Sequence, residues 1–263
     1  MDREDMSVYR QAEETLSRMV EAERVVTCGE ESRRSYLSMH QARFAEIKRL
    51  CRTYVVDPSA RVLDIGRSEL TAYLAGFYGN VHTLGLDPVA DDGGHREMKA
   101  MDAVPHITFD LLQSDRVSQW PDRGRFDLIV FSEVIEHLAI APEYVLAFLQ
   151  ALLTEKGVLV CTTPNAAEIA KRLRMLAGRN PYERLRLYAF NPGHVREYTG
   201  AELRAIAESV GLRRLFHGYF DWHRHQNGGS VRNLAARALR TYPAFRPFQA
   251  IVLARAATPP VPR

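Results

Sequence analysis

Cysteine is scarce in this chain of 263 residues. The three that occur, Cys28, Cys51 and Cys161, are scattered and show no CxxC spacing. A zinc ribbon, an iron–sulfur cluster and a disulfide-stapled scaffold are therefore excluded as organising principles. Long apolar runs are missing too. Leu128–Phe131 and Gly157–Cys161 are strand-sized, far short of a membrane span. The opening MDREDMSVYR lacks the basic stretch and apolar core of a secretory leader. The expectation is a soluble, reduced, cytoplasmic protein. There is no internal repeat and no long low-complexity tract; only the Pro-rich TPPVPR at the end reads as a tail. Hydrophobic residues make up 46% and charged ones 25%, ordinary for one large α/β domain or a compact domain with a helical cap.

Lysine is nearly absent, confined to Lys48, Lys99, Lys156 and Lys171, so the positive charge is almost all arginine. Net charge is +3, but it is unevenly placed: from Lys171 onward there are 17 basic and 5 acidic residues. A basic final third can face an anionic substrate, a nucleic acid or a membrane surface, or be a solvated set of helix arginines.

The first 56 residues read as a helical cap or lid, with apolar Tyr36, Leu37, Phe44, Ile47 and Leu50 spaced among polar residues. Asp57-Pro58-Ser59 breaks that pattern. From there to residue 263 the texture is a second unit, in which short apolar bursts alternate with helical stretches. The bursts are RVLDI, VHTLGLD, HITFD, FDLIVFS, GVLVCTTP and QAIVLARA; the helices are Leu70–Phe77, Pro142–Leu153, Ala166–Ala177 and Ala201–Val210. Such alternation predicts βαβ units in a doubly wound α/β sheet whose strands are buried on both faces. Ligands in these sheets bind beyond the carboxyl ends of the strands. The residues just after each burst are the ones to interrogate.

Three acidic residues stand at three successive strand ends: Asp64, Asp87 and Asp110. Each alone is an ordinary turn former. Together, 21 residues apart from Gly66 to Asp87, they suit a nucleoside, whose ribose diol can give a carboxylate two hydrogen bonds. The first loop, Gly66-Arg67-Ser68-Glu69, lacks the GxGxxG of dinucleotide sites. A pyrophosphate wants bare backbone N–H groups and no carboxylate nearby. A cationic, phosphate-free nucleoside fits better.

The ordered series VLDIG, GLD, FDLIVFSEVIEHL, LTEKGVLVCTTPN and HVREYTGAELRAIAESVGL resembles the class I S-adenosylmethionine-dependent methyltransferases. Within that superfamily the chain looks most like bacterial small-molecule and glycan O-methyltransferases and the ubiquinone-biosynthesis O-methyltransferases. The resemblance runs from Arg61 to about Leu212 and implies a Rossmann-like seven-stranded sheet with N-terminal helices and a lid insertion at 178–195. It implies S-adenosylmethionine as cofactor, with Asp64 and Gly66 at its methionine end, Asp87 on the ribose, Asp110 and Leu111 at the adenine, and Ser132 and Glu133 under the methyl group. The departure is the loop after Asp64, which has one glycine where the family usually has GxGxG.

Glu133, Glu136 and His137 follow the fourth strand, and their spacing puts them on roughly one face of a helical turn. His194 lies far along the chain, just before a helix expected to be capped by Thr199 with Glu202 three residues on. Glu133, Glu136, His137 and His194 could together hold Mg²⁺ or Mn²⁺, with Zn²⁺ a third choice. The same pattern resembles metal-assisted ubiquinone-pathway and small-RNA 2′-O-methyltransferases. His137 could equally be a metal-free general base, or brace the loop. Asn165 ends the fifth strand as a substrate contact or a turn former, and the group His217, His223, His225 reads as surface histidines. Trp222 and Tyr219 wall a pocket or fill core.

The leading expectation is methyl transfer to a hydroxyl of a small molecule or sugar, with His137, Glu133 and His194 catalytic. RNA 2′-O-methylation is the second reading, with Arg172, Arg174, Arg179, Arg184 and Arg186 on phosphates. A non-catalytic scaffold subunit is the third, motivated by the single-glycine loop.

Overall fold

The computed structural model describes residues 13–19, 30–87, 103–187, 193–222 and 238–257. Cys28, His223, His225 and the final TPPVPR lie outside them. Seven strands form one sheet: β1 (Arg61–Ile65), β2 (Asn80–Gly85), β3 (His106–Thr108), β4 (Phe126–Ser132), β5 (Leu153–Pro164), β6 (Leu212–Phe220) and β7 (Phe248–Arg255). Their order is β3-β2-β1-β4-β5-β7-β6. The pairs β3/β2, β2/β1, β1/β4 and β4/β5 are parallel, whereas β7 runs antiparallel to β5 and β6. The strand order reverses at β1 and β4, so the crevice for a ligand opens at their carboxyl ends.

Besides a helical stretch at 13–19, the described helices are α1 (Glu30–Tyr54), α2 (Glu69–Ala75), α3 (Pro142–Ala151), α4 (Ile169–Leu176) and α5 (Gly200–Ser209). Alternation along each strand divides the core into two layers. On β4, Ile129 and Phe131 face the layer shared with Val145, Phe148 and Leu149 of α3 and Leu203 of α5. Leu128 and Val130 face the opposite layer with Phe44, Ile47 and Cys51 of α1 and Leu70 and Leu74 of α2. Helix α1 therefore shares its apolar stripe with the sheet's own core. Arg43, 4% exposed, sits on that stripe.

The strand bursts and helices read from the sequence fall where the structure has them, apart from end residues. The bursts leave out β6, and β5 begins at Leu153, ahead of Gly157. Leu153 pairs with Phe126, and the register then slips before Leu128 meets Val158. Gly157 allows the slip, because a Cβ there would lie 2.7 Å from the Phe126 carbonyl oxygen.

Asn165, completely buried after β5, is a structural clamp. Its amide donates to the carbonyls of Ala244 and Arg246, each at 2.9 Å, and its Oδ1 accepts from the Ala167 N–H at 3.0 Å. Its side chain is thus committed to holding the 244–246 turn against the end of β5. His217 is half-buried in β6, its Nε2 3.1 Å from Gln249 Oε1, which corrects its reading as a surface histidine. Trp222 is buried and stacks between Phe220 and Phe248, as core.

Removing the clamp strands two part-buried carbonyls. Asn165→Ala is expected to lower unfolding stability by about 3 kcal/mol in a denaturant titration. A loss below about 1 kcal/mol would contradict the account.

Candidate active site at the strand ends

The residues expected at the cofactor stand at the ends of β1 to β3. Gly66 has φ +91°, open to glycine at little cost, and its N–H donates to the Leu84 carbonyl at 2.7 Å. That bond lays the loop against β2. The side chains that follow are used elsewhere. Arg67 donates to the Val104 carbonyl at 2.8 Å. Ser68 caps α2, its hydroxyl accepting from the Leu70 N–H at 3.2 Å while its own N–H donates to Thr71 Oγ1 at 3.0 Å. Thr71 in turn donates to Asp64 Oδ2 at 2.6 Å. A Cβ at Gly66 would find nothing within 4 Å, so the space beside the loop is open.

Asp64 is 2% exposed, and burial pushes its carboxyl up to about 7 against the opposing effect of the Thr71 hydrogen bond. Asp87 stands exposed just beyond β2. Asp110 caps a 3₁₀ turn, Leu111–Gln113, accepting from the Leu112 N–H at 2.9 Å through Oδ1. Leu111 is buried beside it. Ser132, the last residue of β4, has its hydroxyl 2.8 Å from that of Thr162.

The second half is built where β4 ends. Glu133 has φ +53°, a left-handed conformation uncommon for a non-glycine residue and frequent at functional sites. It is held there by its N–H donating to the Thr162 carbonyl at 2.9 Å and by an ion pair, 3.6 Å, between its Oε2 and Arg43 Nη1. Burial raises the Glu133 carboxyl even so; Arg43 and Thr162 offset only part of the effect.

Glu136 has no solvent exposure. Its Oε2 accepts from Thr163 Oγ1 at 2.9 Å, and its carbonyl accepts from the N–H groups of Val195 (2.7 Å) and Arg196 (3.1 Å). Those backbone bonds bring His194 beside His137, with ring centroids 5.0 Å apart. Glu136, His137 and His194 each offer a ligand atom within 4.8 Å of the others. Glu133 is not in that group; its carboxylate goes to Arg43 instead.

The histidines are held by their outer nitrogens. His137 Nδ1 lies 2.8 Å from the Gly193 carbonyl, which can only accept, so Nδ1 carries the proton and Nε2 keeps its lone pair. His194 Nδ1 lies 3.0 Å from Glu197 Oε1; in the tautomer that donates there, its Nε2 carries the lone pair. Glu197 also pairs with Lys171. Burial, then the neighbouring His194, lower the His137 imidazole, which is therefore neutral at pH 7. Burial, then the charge of Glu133, push the Glu136 carboxyl well above its ordinary range. Glu136 Oε1, 4.0 Å from His137 Nε2, has no hydrogen-bond partner among the described residues. Two imidazoles, each fixed through Nδ1 by the Gly193 carbonyl or Glu197, and a buried carboxylate oxygen without a partner are a donor set that fits a divalent cation.

Sequence reasoning did not single out Arg43, Thr71, Thr163, Lys171 or Glu197. Arg43 had a signal: it interrupts the apolar face of α1 one residue before Phe44. Thr163 and Lys171 act through contacts between distant segments and left none, whereas Thr71 and Glu197 lie seven and three residues from their partners Asp64 and His194.

The fold has many precedents. A family model described as a methyltransferase domain matches residues 36–215. No curated protein sequence matches the chain. Among solved structures, the N-methyltransferase NodS from Bradyrhizobium japonicum, in complex with S-adenosylhomocysteine, aligns at TM-score 0.54 and 17% identity, over 93% of this chain and 98% of that one. The putative methyltransferase complexed with the Haloferax volcanii Trm112 activator aligns at TM-score 0.59 and 13% identity, over 88% and 96%. The magnesium protoporphyrin IX methyltransferase of Synechocystis aligns at 0.51 and 16%, over 83% and 85%. The chain belongs to the class I S-adenosylmethionine-dependent methyltransferases. It is an enzyme of the transferase class whose cofactor is S-adenosylmethionine.

In the expected placement of that cofactor, with its ammonium beside Asp64, this carboxyl gives a pH signature. It is neutral below about 7 and ionised above. An ammonium beside it favours the carboxylate, so affinity for S-adenosylhomocysteine is expected to rise between about pH 6 and about pH 8. Calorimetric titration checks this, and Asp64→Asn is expected to flatten the profile. A wild-type profile as flat as the variant's would contradict the placement of Asp64 beside the ammonium.

Proposed function

We propose that the enzyme transfers a methyl group from S-adenosylmethionine to a hydroxyl of a small molecule or sugar, at a centre formed by Glu136, His137 and His194. The observation that carries this is the pair of imidazoles locked through Nδ1, each with an Nε2 lone pair beside the partnerless oxygen of Glu136.

The cofactor supplies an electrophilic methyl group on a sulfonium, displaced in line by the acceptor oxygen. The chain's task is to orient the acceptor and take or weaken its hydroxyl proton. With no cation on it, His137 Nε2, neutral at pH 7, can accept that proton directly. Glu133 stands next to Ser132 at the strand end, under the reacting carbon in this reading. Arg43 is a positioning residue that holds Glu133 in its left-handed conformation.

Glu136, His137 and His194 would hold a divalent cation, Mg²⁺, Mn²⁺ or Zn²⁺, whose charge lowers the pKa of an acceptor hydroxyl. Nitrogen donors favour Mn²⁺ and Zn²⁺ over Mg²⁺. The small-RNA reading rests on the same cluster and adds the arginines of 172–186. A reducing, cytoplasmic setting is supported by Cys51 and Cys161, both free and buried. No helix among the described residues is long and apolar enough to cross a membrane.

The test has two parts. Calorimetric titration with Mn²⁺ is expected to give one site per chain, lost in His194→Ala. With labelled S-adenosylmethionine and a panel of phenols, catechols and sugars, His137→Ala is expected to reduce turnover at least about 100-fold. Full activity of His137→Ala on the true acceptor would end the proposal.

A further inference from the structure

Between Asn165, at the carboxyl end of β5, and Leu187 the chain carries α4 and the stretch that follows it. Helix α4 has an apolar stripe that leaves the protein. Ile169, Leu173 and Leu176 stand at i, i+4 and i+7, on one face of the helix. Their exposures are 6%, 43% and 85%, so the stripe starts in the core and ends in open solvent. Met175, Tyr182, Leu185 and Leu187 are also exposed. Isolated exposed leucines are common; a run of them within one short segment marks an interaction surface.

The same stretch is strongly basic. From Lys171 to Leu187 there are six basic residues and one acidic residue. Lys171 is paired with Glu197 and Arg186 with Glu183. Arg174, Arg179 and Arg184 are exposed and form no ion pair among the described residues.

From this combination we propose that the face carried by α4 and the segment to Leu187 docks on an anionic lipid surface. Exposed leucines give the insertion and unpaired arginines the attraction to acidic headgroups. A second copy of the chain is disfavoured, because a two-fold contact would bring like-charged faces together. Nucleic acid would use the arginines and leave the leucines unexplained.

Docking there bears on the active site. Glu183 Oε1 accepts from the His194 N–H at 3.1 Å, so one segment carries both the docking face and a contact to the metal-fitting group. The inference goes beyond the proposed acceptor chemistry and holds whether the methyl goes to oxygen or nitrogen.

The test is co-sedimentation of the full chain with vesicles of phosphatidylcholine alone or mixed with phosphatidylglycerol. Binding is expected only to the mixed vesicles and should weaken with salt. Arg174→Gln and Arg179→Gln should each reduce partitioning about fivefold. Leu176→Ser should reduce it about tenfold. All three should keep S-adenosylhomocysteine binding, which separates loss of docking from loss of fold. Three results would overturn the proposal. They are no sedimentation with anionic vesicles, sedimentation indifferent to these substitutions, and RNA binding or self-association through this face without vesicle binding.

Discussion

The burial of Glu136 is the constraint on which the site depends. Its carbonyl takes two N–H groups from Val195 and Arg196, and its side chain takes the hydroxyl of Thr163. One residue thereby joins the end of β4, the end of β5 and the chain entering α5. The same bonds that fasten the loop bring His194 to His137. A carboxyl group in this position is costly to ionise, the more so with Glu133 close by. Folding holds it there because the surrounding bonds over-determine its place. Its partnerless oxygen and the two free imidazole nitrogens are what make the place chemically useful.

The loop after β1 shows how a family feature can be lost without closing its pocket. The glycines usual there keep side chains away from the cofactor. Here Arg67 reaches to Val104 and Ser68 is spent as a helix cap, so both side chains are committed to the protein's own bonds. The single positive-φ glycine keeps the turn, and its hydrogen bond to Leu84 keeps the loop on the sheet. A scaffold role motivated by crowding in this loop loses its reason.

Much of the fold was legible because both sides of the sheet are covered. Strands buried on two faces read as unbroken apolar bursts, and RVLDI and FDLIVFS mark β1 and β4 to the residue. The Thr199–Glu202 capping box was equally plain, since its reciprocal bonds span only three residues. Legibility failed where long-range contacts decide. Nothing local tells that Asn165 is consumed by carbonyls some eighty residues away, or that His217 bonds to Gln249. The Glu-x-x-Glu-His segment suggested a four-residue cluster. Structure divides it, because the left-handed turn at Glu133 sends that carboxylate to Arg43 on the opposite layer. Helical spacing assumes a helix, and here only a short 3₁₀ turn, Ile135–His137, follows the strand.

A pocket that survives with one glycine is the central claim, and a calorimetric titration with S-adenosylhomocysteine tests it most directly. The account predicts micromolar or tighter binding in the wild type, weakened at least about tenfold in Asp87→Ala, where two ribose hydrogen bonds are lost. No detectable binding by the wild type, or equal binding by the variant, would contradict it.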